Sequence, residues 1–156
     1  MPVSPRLLAA RQRTDPLWAG KMLPMAKTIL LVDDDPMVLN ILCDLLRQCG
    51  YTVIAAGEAS AALAESGRGT SIDLVITDYQ MAGMNGLEFL HEFRRRHPTV
   101  PAIMLTGHRS LEGHQDAAGL GATAYLHKPF RSRELMRVVA GALGDSADAL
   151  VPFVSS

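Results

Sequence analysis

The chain has 156 residues, 48% of them hydrophobic, 20% charged and 5% aromatic, so it suits one soluble domain of about 100 to 150 residues with tails. Fifteen basic residues against sixteen acidic ones give a net charge of -1, which argues against nucleic acid as a direct partner. No apolar run reaches the roughly 20 residues of a membrane span, so no membrane insertion is predicted.

Residues 1–26 are irregular and carry several prolines, and they lack the uninterrupted apolar core of a secretory signal. The Arg-rich "SPRLLAARQR" has some organellar presequence character, but Asp15, Pro16 and Gly20 interrupt any amphipathic helix. A cytoplasmic location is expected. Met1, Met22 and Met25 are all candidate starts, since "MAKTILLVDDD" makes a complete opening. The pattern becomes regular at Lys27, which predicts an extension (1–26), a folded domain (27–144) and a tail (145–156).

The first predicted strand, Thr28 to Val32, runs into Asp33, Asp34 and Asp35. A helix follows over Pro36 to Cys49, with Val38, Ile41, Leu42, Leu45 and Leu46 on one face, Asp35 as its cap and Gly50 as its stop. Cys43 and Cys49 lie on this helix about 9 Å apart by axial rise, too far for a disulfide, and are expected as core thiols of a reducing compartment. Next come a strand at Thr52 to Ala56, a helix at Glu58 to Ser66 and a strand at Ile72 to Thr77 that leads into Asp78. A third helix spans Gly86 to His97, and Arg94, Arg95 and Arg96 suit its negative end. The remainder reads as a strand at Ala102 to Leu105, a helix at Ser110 to Leu120, a strand at Ala124 to Leu126, and a last helix at Ser132 to Leu143 capped by Ser132.

Alternating βα units with nearly continuous apolar strands predict a three-layer α/β fold, a doubly wound parallel sheet covered by helices on both faces. Ligands in such sheets bind beyond the carboxyl ends of the strands. Those ends carry Asp33, Asp34, Asp78, Thr106 and Lys128. Taken singly, each has a bland explanation: a helix cap, a solvated acid, a surface lysine. Three acids, a hydroxyl and an amine arriving from four strands at one edge are hard to explain that way. Adjacent carboxylates beside a low-dielectric core also require a counter-charge.

"LLVDDD", "DLVITDYQMAGMNGLEFL", "IMLTG" and "GATAYLHKPF", in that order, closely resemble the receiver domain of two-component response regulators, from Lys27 to about Gly144. The resemblance implies a five-stranded flavodoxin-like domain of strand order 2-1-3-4-5, acting as a phosphoacceptor rather than a classical enzyme. By the same resemblance Asp78 accepts a phosphoryl group from a histidine kinase or phosphotransfer protein. Asp33 and Asp34 form the acidic pair, Thr106 is the switch hydroxyl, Lys128 binds phosphate and Tyr125 is the switch aromatic. Mg²⁺ prefers oxygen ligands, and Asp34, Asp78 and the Gln80 backbone carbonyl, with a water held by Asp33, supply them. The resemblance further implies a cis Lys128–Pro129 bond, and a phosphoryl lifetime set by Gln80 and His108.

One departure is Ala82, where many receivers have proline; no charged group is lost there. Output is expected to pass through the surface of the fourth predicted helix, the fifth strand and the last helix to a separate partner protein, or to a second copy in a phosphorylation-dependent homodimer. Arg131, Arg133 and Arg137 would offer the cationic contacts. Three other classes fit these residues less well. A haloacid dehalogenase type hydrolase would carry an acid where Gln80 stands; a flavin-binding protein would not present "DDDP" to a phosphate; a degenerate receiver serving as a scaffold would have lost part of the set. The five histidines show no metal-ligand spacing with cysteines or acids.

Overall fold

Short runs of branched apolar residues cannot satisfy their main-chain groups when buried unless they pair with one another. In the computed structural model, which describes residues 26–107 and 122–144, five of them do so. The elements are β1 (Thr28–Val32), α1 (Pro36–Gln48), β2 (Thr52–Ala56), α2 (Ala59–Ser66), β3 (Leu74–Asp78), α3 (Gly86–Arg96), β4 (Ala102–Thr106), β5 (Ala124–His127) and α4 (Ser132–Leu143). The expected helix at Ser110 to Leu120, His108, the N-terminal extension up to Met25 and the tail lie outside the described residues.

All strand pairs are parallel, and the order is β2-β1-β3-β4-β5. The three central strands are buried along almost their whole length. Their side chains alternate between two cores, as the period of two requires. Ile29, Leu31, Leu74, Ile76, Ile103 and Leu105 pack with Leu42 and Leu46 of α1 and Leu135 and Val139 of α4. Leu30, Val32, Val75 and Met104 pack on the other face with Ala59 and Ala62 of α2 and Phe89 and Phe93 of α3.

Helix ends follow local chemistry. The Asp35 Oδ1 accepts from the amides of Met37 at 2.9 Å and Val38 at 3.4 Å, so the third acid is a cap, as expected. Asn85 and Glu88 form a reciprocal capping box that starts α3. Two expectations need correcting. Ser132 is not the cap of α4: Arg131 holds the extended cap conformation and Ser132 is already helical. Ile41 is not core: it is 59% exposed, because Leu42, Cys43 and Leu46 centre the buried stripe and Ile41 points about 145° away from it.

Strand ends also shift in a way that matters for chemistry. β3 begins at Leu74 and runs through Asp78, and β4 runs through Thr106. The ladder continues past both, with the Tyr79 amide donating to the Leu105 carbonyl at 2.7 Å and the Lys128 amide to the Thr106 carbonyl at 2.8 Å. Asp78 and Thr106 are therefore held by sheet hydrogen bonds rather than by loops.

Candidate functional site

The carboxyl edge of the sheet gathers the polar residues that the apolar strands deliver there. The Asp33 amide donates to the Ala56 carbonyl at 3.2 Å, which keeps this residue in line with β1 although it lies beyond the strand. Its side chain is completely buried. One oxygen accepts from the Asp35 amide at 3.0 Å, and the other lies 3.3 Å from Lys128 Nζ. Asp78, nearly buried at the end of β3, has its Oδ1 also 3.3 Å from Lys128 Nζ. Asp34, next in sequence to Asp33, is exposed, and its Oδ2 accepts from the Ala82 amide at 3.0 Å.

Asp33, Asp34 and Asp78 each present an oxygen, and these three atoms lie within 4.8 Å of one another. The lysine thus answers two of the acids directly, a pairing that motif reading did not anticipate. Three carboxylates against this ammonium still leave an excess of negative charge. An all-oxygen, anionic donor set of this kind fits a hard divalent cation. Burial, followed by the field of Asp33, raises the Asp78 pKa above the ordinary carboxylate value, and Lys128 offsets part of the rise. For Lys128, burial acts to lower the pKa, but the carboxylates of Asp78 and Asp33 outweigh it and the net shift is upward.

Backbone geometry brings these groups together. The Lys128–Pro129 peptide is cis. Gly86, at the start of α3, sits where a Cβ would strike the Asp78 carbonyl oxygen and approach Tyr79 Cα at 2.9 Å, so only glycine lets this helix begin directly beneath the acid. The spacing of "DYQMAGMNG" contains that glycine, but nothing in the sequence signals how close the approach is.

The other candidates lie around this centre. Thr106 ends β4, buried, in the strand that pairs with β3, and its register partner on β5 is His127. Tyr125 pairs with Met104 two residues earlier and packs, half-buried, against the core of the α2 and α3 face. Gln80 is exposed beyond Asp78. His108 lies outside the described residues.

A doubly wound parallel sheet with an acidic, lysine-bearing pocket at its carboxyl edge defines the class. Comparison with known proteins narrows it: residues 29–140 match the family model of the response regulator receiver domain. The chain belongs to that family and is a receiver domain of two-component signalling. It is 37% identical to the response regulator protein FleR of Pseudomonas aeruginosa over 116 residues, covering 74% of this chain and 24% of FleR. Against the transcriptional regulatory protein CpxR of Klebsiella pneumoniae the identity is 42% over 110 residues, covering 69% of this chain and 45% of CpxR. The chain therefore spans between a quarter and a half of the length of these relatives. Among solved structures, chemotaxis protein CheY4 of Vibrio cholerae superposes with a TM-score of 0.73 at 31% identity, covering 76% of this chain and 99% of CheY4. The receiver domain of NtrX from Brucella abortus gives 0.70 at 32%, covering 76% and 99%. No helix among the described residues is long and apolar enough to cross a membrane.

Proposed function

We propose that the domain, spanning residues 27–144, is a phosphorylation-dependent switch whose Asp78 accepts a phosphoryl group from the histidine of a kinase or phosphotransfer protein. The observation that carries this reading is the Lys128 ammonium, its Nζ 3.3 Å from both Asp78 and Asp33, beside acids that repel one another. The Asp78 carboxylate attacks phosphorus, the bond from phosphorus to the donor's imidazole nitrogen breaks, and its electron pair stays on that nitrogen. Because this transition state is loose, the surroundings need mainly to hold the partners in line and neutralise the equatorial oxygens. The Lys128 ammonium and the Thr106 hydroxyl do so here. Asp33, Asp34, Asp78 and the Gln80 carbonyl would hold Mg²⁺, which supplies further positive charge for the phosphoryl oxygens when bound.

Once phosphorylated, Asp78 draws the Thr106 hydroxyl toward the new oxygens, and the half-buried Tyr125 ring shifts inward. This biases a pre-existing equilibrium only by the difference in contacts between its two states. Arg131, Arg133 and Arg137, all exposed at α4, present the changed surface to a separate protein or to a second copy of the chain. By the same family resemblance Gln80, and His108 outside the described residues, set the phosphoryl lifetime. A cytoplasmic setting suits the free thiols Cys43 and Cys49.

Intact mass after treatment with acetyl phosphate and Mg²⁺ tests the proposal. One added phosphoryl group is expected. Undiminished labelling of Asp78→Asn, or full labelling in EDTA, would overturn it.

A further inference from the structure

Of the three acids, Asp33 is fixed by the Asp35 amide and Lys128, and Asp78 by its strand and Lys128. Asp34 is exposed, and an exposed carboxylate is free to sample several rotamers unless something selects one. What selects one here is the main-chain N–H of Ala82, 48 residues away in sequence, at 3.0 Å from Oδ2. A hydrogen bond to an ionised acceptor is stronger than a neutral one.

The 79–86 loop that carries this amide is anchored at its base. The Gly86 amide donates to the Tyr79 carbonyl at 2.8 Å, and Asn85 is locked to Glu88 by bonds of 2.9 Å in both directions. The crown, Ala82 and Gly83, is exposed, and Gly83 takes a positive φ of 78°. Asp34 is what joins that crown to the acidic edge. Beyond the crown lies an open cavity of about 540 Å³ bordered by Gly83, Met84, Leu87 and His91.

We propose that the Ala82 N–H is a positioning group for the acidic pocket: it holds the Asp34 carboxylate in place for a divalent cation, and so couples cation binding to the 79–86 loop and the cavity beside it. The proposal rests on reading Asp33, Asp34 and Asp78 as cation ligands. Coupling of this kind is reciprocal, so whatever orders the crown strengthens cation binding by the same factor.

Proline at 82 has no N–H and removes the contact, whereas glycine keeps it. Calorimetric titration with Mg²⁺ is expected to show Ala82→Pro binding about threefold to tenfold more weakly than wild type, the scale of one charge-assisted hydrogen bond at an exposed site. Ala82→Gly should stay within about twofold of wild type. Backbone NMR supplies a second readout: Mg²⁺ should shift the Ala82 and Gly83 amides, and Asp34→Ala without cation should shift the Ala82 amide and speed its hydrogen exchange. Wild-type protein that binds no Mg²⁺ would overturn both the cation reading and this inference. If wild type binds while Ala82→Pro binds equally well or more tightly, the inference alone fails. Should Ala82→Pro not fold, an unmoved Ala82 amide in Asp34→Ala would overturn it.

Discussion

The interior of the strands and their carboxyl edge are built from the same segments of chain under opposite rules. In β3, Leu74 to Ile76 lie wholly buried among apolar neighbours, and two residues later the strand delivers Asp78, also buried, beside another carboxylate. The interior gains from every atom it hides from water, while the edge loses hydration and carries like charges that Lys128 only partly answers. The fold's stability resides in the first region, and the chemistry proposed for the chain lies where stability is given up.

That contrast can be broken from the interior side. Phe93, completely buried on α3 and stacked with His97 at 4.6 Å between ring centroids, anchors the α2 and α3 face. Replacing it with alanine should cost about 3–5 kcal/mol in urea-unfolding measurements. At the junction of the two regions, Gly86→Ala forces a methyl group against the Asp78 carbonyl and should cost about 1–3 kcal/mol, with loss of phosphorylation because the acid is displaced.

At the edge, Lys128→Met leaves Asp33 and Asp78 facing one another without the lysine that bridges them. A loss of about 1–2 kcal/mol is expected in EDTA, below the cost of breaking a fully buried pair because the lysine side chain is 28% exposed. Millimolar Mg²⁺ should restore most of it, and thermal melts with and without the ion measure both parts. Its raised pKa also means that the stabilisation from Lys128 is fully present below the ordinary lysine value of 10.5 and is lost as pH rises through the folded value.

The smallest effect should have the opposite sign. Because the Asp78 pKa is raised, the folded protein keeps a proton that the unfolded chain has released between the ordinary value of 3.8 and the folded one. Stability therefore falls as pH rises through that window and stays lower above it. Asp78→Asn removes this penalty, so it should melt a few degrees higher than wild type at neutral pH without divalent ions, and the gain should vanish below the ordinary aspartate range. A melting temperature at neutral pH equal to or below that of wild type would mean that the buried carboxylate does not strain the edge.

Much of this was legible in the chain. Five apolar runs and their spacing predict the sheet, and β1, β2 and α4 span the residues expected. Ile72 lies outside β3, against expectation, for an instructive reason. It is buried like a strand residue, but Asp73 uses its carboxylate to accept the Thr28 amide at 2.8 Å, and the strand starts only after that turn. Ile41 misled because apolar character marks two faces of α1, and only tertiary packing chooses between them. Within the site, the types and order of Asp33, Asp34, Asp78, Thr106 and Lys128 were readable, whereas the double pairing of Lys128 depends on how β5 lies beside β4. The Ala82 contact had no side-chain signature at all. Its donor is a main-chain group that every residue but proline possesses.

Lys27 reaches across the opposite pole of the sheet, where its Nζ donates to the Leu143 carbonyl at 2.8 Å. Lys27, just ahead of β1, and Leu143, the last residue of α4, are thus tied together at the amino ends of the strands, as far from the acids as the sheet allows. Joining them by a short linker and opening the chain elsewhere should yield a circular permutant with an undisturbed pocket. A reporter or immobilisation tag fused beside either residue would likewise sit at the pole opposite the acids.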